Sequence, residues 1–364
     1  MTELPTLAIT PLLVTFIMAV ILTPLSMIVI KKVGLVDDPK LHKHPGIIHT
    51  KPIPRGGGIP LFLSCLFAGL LFLPHTPRVI ALFSASFLAL VIGLIDDKLN
   101  AKSKDVSPYL RFAVNIITAI IVVASGVSIK FITNPLGGIL HLDLLLFTIP
   151  FLNWHLFLSD ILSVIWLVWI MNMLNWSKGV DGQMPGIVAI SAIIIGILSL
   201  RLINPTGGDF LDATLSFIIA GSALGFLLFN FYPAKIFPGY GATSLYLLLG
   251  VASILSSAKL ATALLVMGVP LVDFIFTILR RLFNKQSPFK GDNKHLHHLL
   301  LRLGLSQRQT ALFYWLVSAI LGIIALSLES RSKIFAIIMV GVITGGGLLF
   351  LHAITKNTND KITS

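Results

Sequence analysis

Long runs of apolar residues constrain what this chain can fold into more than any other feature. A helix needs roughly 20 such residues to cross a bilayer. Runs of this kind lie near 9–30, 57–74, 79–95, 109–127, 159–176, 184–202, 211–231, 243–257, 259–282, 310–328 and 333–354. Only helices and closed barrels satisfy their backbone polar groups in lipid. Barrel strands would alternate polar and apolar residues, and these runs do not. The fold class expected is an all-α polytopic membrane protein with about eleven transmembrane helices, residues 1–364 forming one domain. Composition agrees: the chain is 55% hydrophobic and 12% charged, against about 25% charged in soluble proteins. The first run has no basic region before it and is longer than a signal-peptide core, so it reads as a retained span.

Between the fourth and fifth runs, Ser128 to Leu158 carries alternating Ile129 and Phe131 and the turn Asn134-Pro135-Leu136-Gly137-Gly138. That pattern predicts a small β-hairpin at the membrane surface, followed by an apolar segment expected to re-enter the bilayer. Cys65, inside an apolar run, is the single cysteine. It excludes an intramolecular disulfide and a cysteine metal site.

The net charge of +12 does not imply nucleic acid, because the cations sit in loops between spans. Anionic headgroups and the positive-inside rule account for them there. Loops after the odd-numbered spans, with the C-terminal tail, hold about 20 of the 27 Lys and Arg. About six lie on the other side, and Arg111 lies near a span start. The N-terminus and hairpin are therefore expected outside, and the long loops and C-terminus in the cytoplasm.

Five polar clusters fall on that cytoplasmic side: Asp37 to Gly58, Asp96-Asp97, Asn172 to Gly182, Asn230 to Ser244 and His295 to His298. Asp96-Asp97 ends a span, where two adjacent carboxylates repel each other and lose solvation. The pair reads either as a helix end stopped by charge or as a metal-binding or base pair. Asn172 and Asn175 share a helix face, and burying two amides is costly unless they bind something; helix–helix hydrogen bonding is the other reading. Gly179 and Gly182 allow a tight backbone approach around Asp181. His49-Thr-Lys51-Pro-Ile-Pro54-Arg55-Gly-Gly-Gly58 places cations before three glycines, whose amides could hold phosphate oxygens; the alternative is a snorkelling basic anchor. Last, Phe283 to Leu303 gathers three of the ten histidines within four residues. Histidines at i, i+2 and i+3 cannot all share one helix face, which disfavours zinc. A cationic wall for phosphate, made with Lys290, Lys294, Arg280 and Arg281, suits the loop better.

Taken together, these pieces resemble the polyprenyl-phosphate N-acetylhexosamine-1-phosphate transferases of glycosyltransferase family 4. The likeness is to the GlcNAc-1-phosphate transferase branch, which is related to phospho-MurNAc-pentapeptide translocase. The matching pieces are Lys51-Pro-Ile-Pro-Arg55-Gly-Gly-Gly58-Ile59, Gly93-Leu-Ile-Asp96-Asp97, Asn134-Pro-Leu-Gly-Gly138 and Asn172-x-x-Asn175-x-x-x-Gly179-Val-Asp181-Gly182. Asn230-Phe-Tyr-Pro-Ala-Lys235-Ile-Phe237, Pro270-Leu-Val-Asp273 with Arg280-Arg281, and Ser287 to His298 complete the set. They run in family order from about residue 33 to 305, leaving two spans and a tail over 306–364.

The resemblance implies transfer of a sugar-1-phosphate, GlcNAc-1-phosphate or a related HexNAc-1-phosphate, from a UDP-sugar to undecaprenyl phosphate. UMP is released, in the first membrane step of cell-surface glycan synthesis. It implies a multi-pass protein of the bacterial inner (cytoplasmic) membrane whose partners are the UDP-sugar, undecaprenyl phosphate and the bilayer, with no nucleic acid and room for a homodimer. It assigns Asp96, Asp97, Asp181, His295, His297 and His298 to catalysis. Lys51, Arg55, Asn172, Asn175, Asn230, Arg280 and Arg281 go to nucleotide or phosphate binding. Mg²⁺ (or Mn²⁺) is implied as cofactor, with Asn172, Asp96 and Asp97 around it.

The chain departs from the pattern twice. Tyr240 stands where the family usually has the metal-holding Asp, and Lys178 stands where it has another. A phenol with a pKa near 10 is a poor Mg²⁺ ligand. Two readings follow: a transferase in which the Lys178 ammonium replaces part of the metal's charge and weakens Mg²⁺ dependence, or a catalytically inactive homologue that binds lipid phosphate or nucleotide sugar.

Overall fold

All eleven apolar runs are helical in the computed structural model, which describes residues 5–40, 51–102, 104, 106–134, 137–149, 154–202, 210–255, 260–288 and 293–362. After a π-helical turn, Pro5–Ile9, comes α1 (Thr10–Lys32), then the short strands β1 (Val36–Asp37) and β2 (Ile53–Pro54). Helices α2 (Gly58–Phe72), α3 (Pro77–Asn100) and α4 (Pro108–Ala124) follow. Two hairpins, β3 (Phe131–Thr133) with β4 (Ile139–His141) and β5 (Leu146–Ile149) with β6 (Trp154–Phe157), lead into α5 (Leu158–Trp176). Then come α6 (Gln183–Leu202), α7 (Leu211–Asn230), α8 (Thr243–Ile254), α9 (Leu260–Val266) and α10 (Gly268–Phe283). The short α11 (Leu296–Arg302) precedes α12 (Gln307–Ser327) and α13 (Ser330–Ile362).

Among the described residues, seven helices are long and apolar enough to cross a membrane: α1, α3, α5, α6, α7, α12 and α13. The pair α9 and α10, bent by 80°, makes an eighth if it counts as one broken span. The expectation of eleven full spans is corrected to that extent. Helices α2, α4 and α8 have 15, 17 and 12 residues, so they reach only about 18–26 Å at about 1.5 Å per residue. For α8 the reason is its position. Every one of its residues is buried, and it packs against α5, α3, α7 and α2. A helix surrounded by protein need not match the thickness of the lipid.

Helix α7 packs against α1, α6, α2 and α8. Its contact with α1 is backbone-close: a Cβ on Gly221 would lie 2.3 Å from the Leu12 carbonyl oxygen, and one on Gly225 2.6 Å from that of Phe16. Helix α1 turns Leu13, Ile17, Ile21 and Leu25 outward and buries Thr15, Ala19, Thr23 and Ser26. The Thr15 and Thr23 hydroxyls donate to carbonyls one turn back, Pro11 and Ala19. Large apolar residues outside and small or hydroxyl residues inside is the membrane pattern, where lipid replaces water as the outer solvent.

The strands do local work. Strand β1 pairs antiparallel with β2, Val36 opposite Pro54. Strands β3 and β4 form the expected hairpin, Phe131 opposite His141, although residues 135–136 of its turn lie outside the described residues. The apolar segment expected to re-enter the bilayer forms a second hairpin instead. Leu146 faces Phe157 and Ile149 faces Trp154, so its backbone groups pair with each other.

One contact sets the geometry of the site. Gly58 at the start of α2 and Gly93 on α3 both meet Gly241, just before α8. A Cβ on Gly58 would lie 2.2 Å from the Gly241 carbonyl carbon, and one on Gly93 2.4 Å from its Cα. Backbone cannot yield as a side-chain tip can, so Gly93→Ala is expected to lower stability by at least the ~1–3 kcal/mol of an overpacked core. Thermal unfolding in detergent checks this, with Gly341→Ala, where a Cβ meets nothing within 4 Å, expected not to lower it.

Candidate active site

Asp97, in the last turn of α3, is fully buried and joins three segments. Its Oδ1 accepts from the Tyr240 amide at 2.8 Å and from Arg55 Nε at 3.0 Å. Its Oδ2 accepts from the Gly241 amide at 3.2 Å. Arg55 Nη1 also donates to Asp37 Oδ2 at 3.0 Å and to Asn100 Oδ1 at 2.6 Å. The turn that delivers the two amides needs glycine at 239: φ is +66°, and a Cβ there would lie 2.2 Å from Asp97 Oδ2.

The three glycines after Arg55 do not form a phosphate cradle. The Gly56 and Gly57 amides donate to the Phe237 carbonyl, and the Gly58 amide to that of Pro238. The Phe237 amide returns a bond to Pro54 at 2.8 Å. This parallel pairing of segments 54–58 and 237–238 consumes the donors that the sequence offered to a ligand.

Asp96 belongs to the cavity instead. It accepts from the Val106 amide at 3.2 Å and from Arg111 Nη1, 3.3 Å from its Oδ2. The cavity, of about 600 Å³, has a polar end lined by Arg55, Asp96, Arg111, Asn172, Asn175, Lys178 and Tyr240. Its remaining wall is apolar, with Ile116 of α4, Val168 and Trp169 of α5, and Phe274 and Ile278 of α10. Arg111 stands 5.2 Å and Lys178 5.6 Å from the centre of the Tyr240 ring, and the Tyr240 hydroxyl accepts from Asn115 Nδ2 at 3.3 Å. The Lys178 ammonium donates to Asn175 Oδ1 at 3.0 Å and to the Gly239 carbonyl at 2.8 Å. Asn175 Nδ2 donates in turn to Thr243 Oγ1 and the Met171 carbonyl, while Asn172 Nδ2 donates to the Val168 carbonyl.

The other sequence-selected residues lie elsewhere. Asp181 Oδ2 accepts from the Ala234 amide, and Asn230 bridges the Gly182 amide and the Ile236 carbonyl. Both fasten the turn after α5 to the segment after α7, and neither lines the cavity. Asp273 on α10 bonds His295 Nδ1 at 3.0 Å and caps α11 through the Leu296 amide at 3.0 Å. His297 stacks on His295 and presses on Gly179, where a Cβ would lie 1.9 Å from its Nε2. Burial, with His298 and His295 beside it, pushes the His297 imidazole well below the usual range. His297 is therefore neutral near pH 7, and the cationic wall expected of these histidines is corrected at that position. Arg281 lies over the Trp176 ring at 4.8 Å and donates to the Pro288 carbonyl. Arg280 bonds the Lys294 carbonyl and His352. Lys51 is exposed and away from the cavity lining; His49 and Lys290 lie outside the described residues. The segment 176–179 thus separates two clusters, with Trp176 and Lys178 at the cavity and Gly179 against the histidines.

Comparison with known proteins gives the family. Residues 79–257 match the model for glycosyl transferase family 4. A probable undecaprenyl-phosphate N-acetylglucosaminyl 1-phosphate transferase of Bacillus subtilis (strain 168) is 30% identical over 358 residues, 95% of this chain and 90% of that protein. The chain belongs to glycosyl transferase family 4. A decaprenyl-phosphate N-acetylglucosaminephosphotransferase of Mycobacterium tuberculosis is 32% identical over 86% of this chain and 81% of its own length. The undecaprenyl-phosphate alpha-N-acetylglucosaminyl 1-phosphate transferase of Escherichia coli K12 is 27% identical over 83% of this chain and 78% of its own length.

Family 4 enzymes typically depend on Mg²⁺, and the donors present here do not suit it. Mg²⁺ takes a near-octahedral set of oxygens that includes one or two carboxylates. Both Asp97 oxygens are taken by amides and Arg55, and Asp96 holds Arg111 and an amide. Burial raises the Tyr240 phenol above its ordinary range, so it stays neutral. A dication about 5 Å from a charged Lys178 would be repelled on the order of 6–7 kcal/mol at an effective dielectric of about 20. Among the described residues no group of three or more His, Cys, Asp or Glu could hold a metal ion.

Sequence reasoning missed Arg111, Asn115 and Asn100 as members of the site. Arg111 was visible only as a lone cation at a span start, and nothing local ties it to Asp96 fifteen residues back.

Two expectations follow from this geometry. Burial, then the charge of Arg55, pushes the Lys178 ammonium down to about 7 from 10.5. Between those values the unfolded chain holds the proton and the folded chain does not, so stability rises with pH across that window. Lys178→Met is expected to flatten that rise in unfolding midpoints measured from pH 7 to 10. Asp97→Ala strips Arg55 and two amides of a buried acceptor and is expected to cost about 3–5 kcal/mol, read as a lowered midpoint in the same assay.

Proposed function

We propose that this chain transfers N-acetylglucosamine 1-phosphate from UDP-N-acetylglucosamine to undecaprenyl phosphate and releases UMP. One observation carries the reading: a cavity whose long wall is apolar ends in a cluster of cations and carboxylates. That is the shape of a phosphate on a greasy tail. The activities of the relatives supply the sugar and the lipid carrier.

In this reading the lipid tail lies along Ile116, Val168, Trp169, Phe274 and Ile278. Its phosphate meets Arg111 and Lys178 at the polar end. Phosphoryl transfer asks the protein mainly to align the nucleophile and neutralise oxygens, and fixed cations in a partly dry site do this at no reorganisation cost at the moment of reaction. Asp96, paired with Arg111, sets the position of that guanidinium. Asn172 and Asn175 line the nucleotide-sugar side. Asp97 and Arg55 are positioning residues that hold the Tyr240 turn. Asn230 and His297 act through the segment 177–182, which they meet at Gly182 and Gly179, while Asp181 fastens it to Ala234 and His295 and His298 stand against His297. The charge asymmetry of the loops supports an N-terminus outside and a C-terminus in the cytoplasm of a bacterial membrane, with the three short helices completing eleven segments. Such a reaction starts a cell-surface glycan on its lipid carrier.

The test is UMP release by the purified full chain given undecaprenyl phosphate and a panel of UDP-sugars. UMP from UDP-N-acetylglucosamine is the expected outcome, and Arg111→Met should lower kcat/KM about 10²–10³-fold, as loss of a charge-stabilising group does. Nucleotide or lipid binding with no turnover on any UDP-sugar would mean an inactive homologue and end the proposal.

A further inference from the structure

The carboxylates of the site already hold cations of the chain itself. Arg55 meets Asp37 and Asp97 at 3.0 Å, and Arg111 meets Asp96 at 3.3 Å. The two cations that line the cavity beside Tyr240 are held rigidly. Arg111 is fixed by both oxygens of Asp96. Lys178 is fixed by Asn175 Oδ1 and the Gly239 carbonyl, and Asn175 is itself tied to Thr243 and Met171. An ammonium has three N–H donors. Lys178 thus retains a third N–H for a ligand in the cavity it lines. The Tyr240 ring holds both cations against its π-electrons, an attraction that a carboxylate at 240 would turn into a salt bridge and a metal ligand.

We propose that Lys178 and Arg111 are the cations that stabilise the transferring phosphate in this chain, and that no divalent ion takes part. This deepens the transfer reading above and rests on it. An oxygen of the lipid monophosphate forms the new bond to the phosphorus that carries the sugar. The bond from that phosphorus to the bridging oxygen breaks, and UMP leaves with the electron pair. Atoms and charge balance without a proton, so no step asks Lys178 to give one up or take one. Its free N–H and the Arg111 guanidinium take the charge that builds on the phosphate oxygens, the role a divalent cation otherwise fills. Tyr240 is the platform under both.

Two measurements on the purified full chain in detergent test this separately from the transfer reading. In the first, UMP release is compared in excess EDTA and in millimolar Mg²⁺. Rates within threefold support the proposal, and a larger loss in EDTA overturns it while leaving the transferase reading intact. In the second, Mn²⁺ is titrated into the ligand-free protein and followed by electron paramagnetic resonance, so the answer does not depend on turnover. The expected result is no stoichiometric Mn²⁺ on the wild-type chain and one ion per chain gained by Lys178→Asp combined with Tyr240→Asp. One Mn²⁺ per wild-type chain, lost in Asp96→Asn, overturns the proposal even if no UMP is ever released.

Discussion

The bonds that converge on Asp97 hold the rest of the site in place. A buried carboxylate is costly unless its lone pairs are met, and here one guanidinium and two amides meet them. Charge-assisted bonds of this kind are short and directional, so the carboxylate also works as a clamp. It fixes the loop after α1, the end of α3 and the turn before α8 relative to one another. The glycine contacts then let those backbones approach far enough for the clamp to close. Arg55 is therefore a structural cation at the edge of the cavity, while Arg111 and Lys178 remain available to a ligand.

The short segment after α5 divides the labour of the polar residues. On one side Trp176 and Lys178 face the cavity, and Asn175 steers the ammonium. On the other, Gly179 accepts the edge of His297, and Asp273 anchors His295. A histidine ring pressed onto a glycine leaves little freedom for the residue before it. The histidine loop thus bears on the position of Lys178, across a distance of one residue.

Much of this was legible in the chain itself. Apolar runs report a helix wherever lipid or protein must satisfy the backbone, so every run was found. What a run does not report is which neighbour covers it, and α8 reads like a span although protein surrounds all of it. The polar members Asp96, Asn172 and Asn175 stood out because they interrupt oily sequence, and Lys178 and Tyr240 because they depart from the family pattern. Their partners did not. The Gly56–Gly58 amides looked free because the carbonyls that take them, at 237 and 238, are some 180 residues away. His297 looked cationic because composition shows a basic loop and not the burial that keeps the ring neutral. Arg111 stood only as a cation near a span start, since a snorkelling arginine and a paired one have identical neighbours in sequence.

Gly58 and Gly93 meet Gly241 backbone to backbone, and neither can take a side chain without moving main chain. Lys178 and Tyr240 are attached to that same framework but project into the lining. A substitution therefore meets different constraints in the two parts. The framework forbids nearly all replacements, whereas the lining admits an acid, an amine or a phenol with the scaffold undisturbed. A lineage can exchange the source of positive charge at its reaction centre by changing two side chains, while the fold that presents them stays as it was.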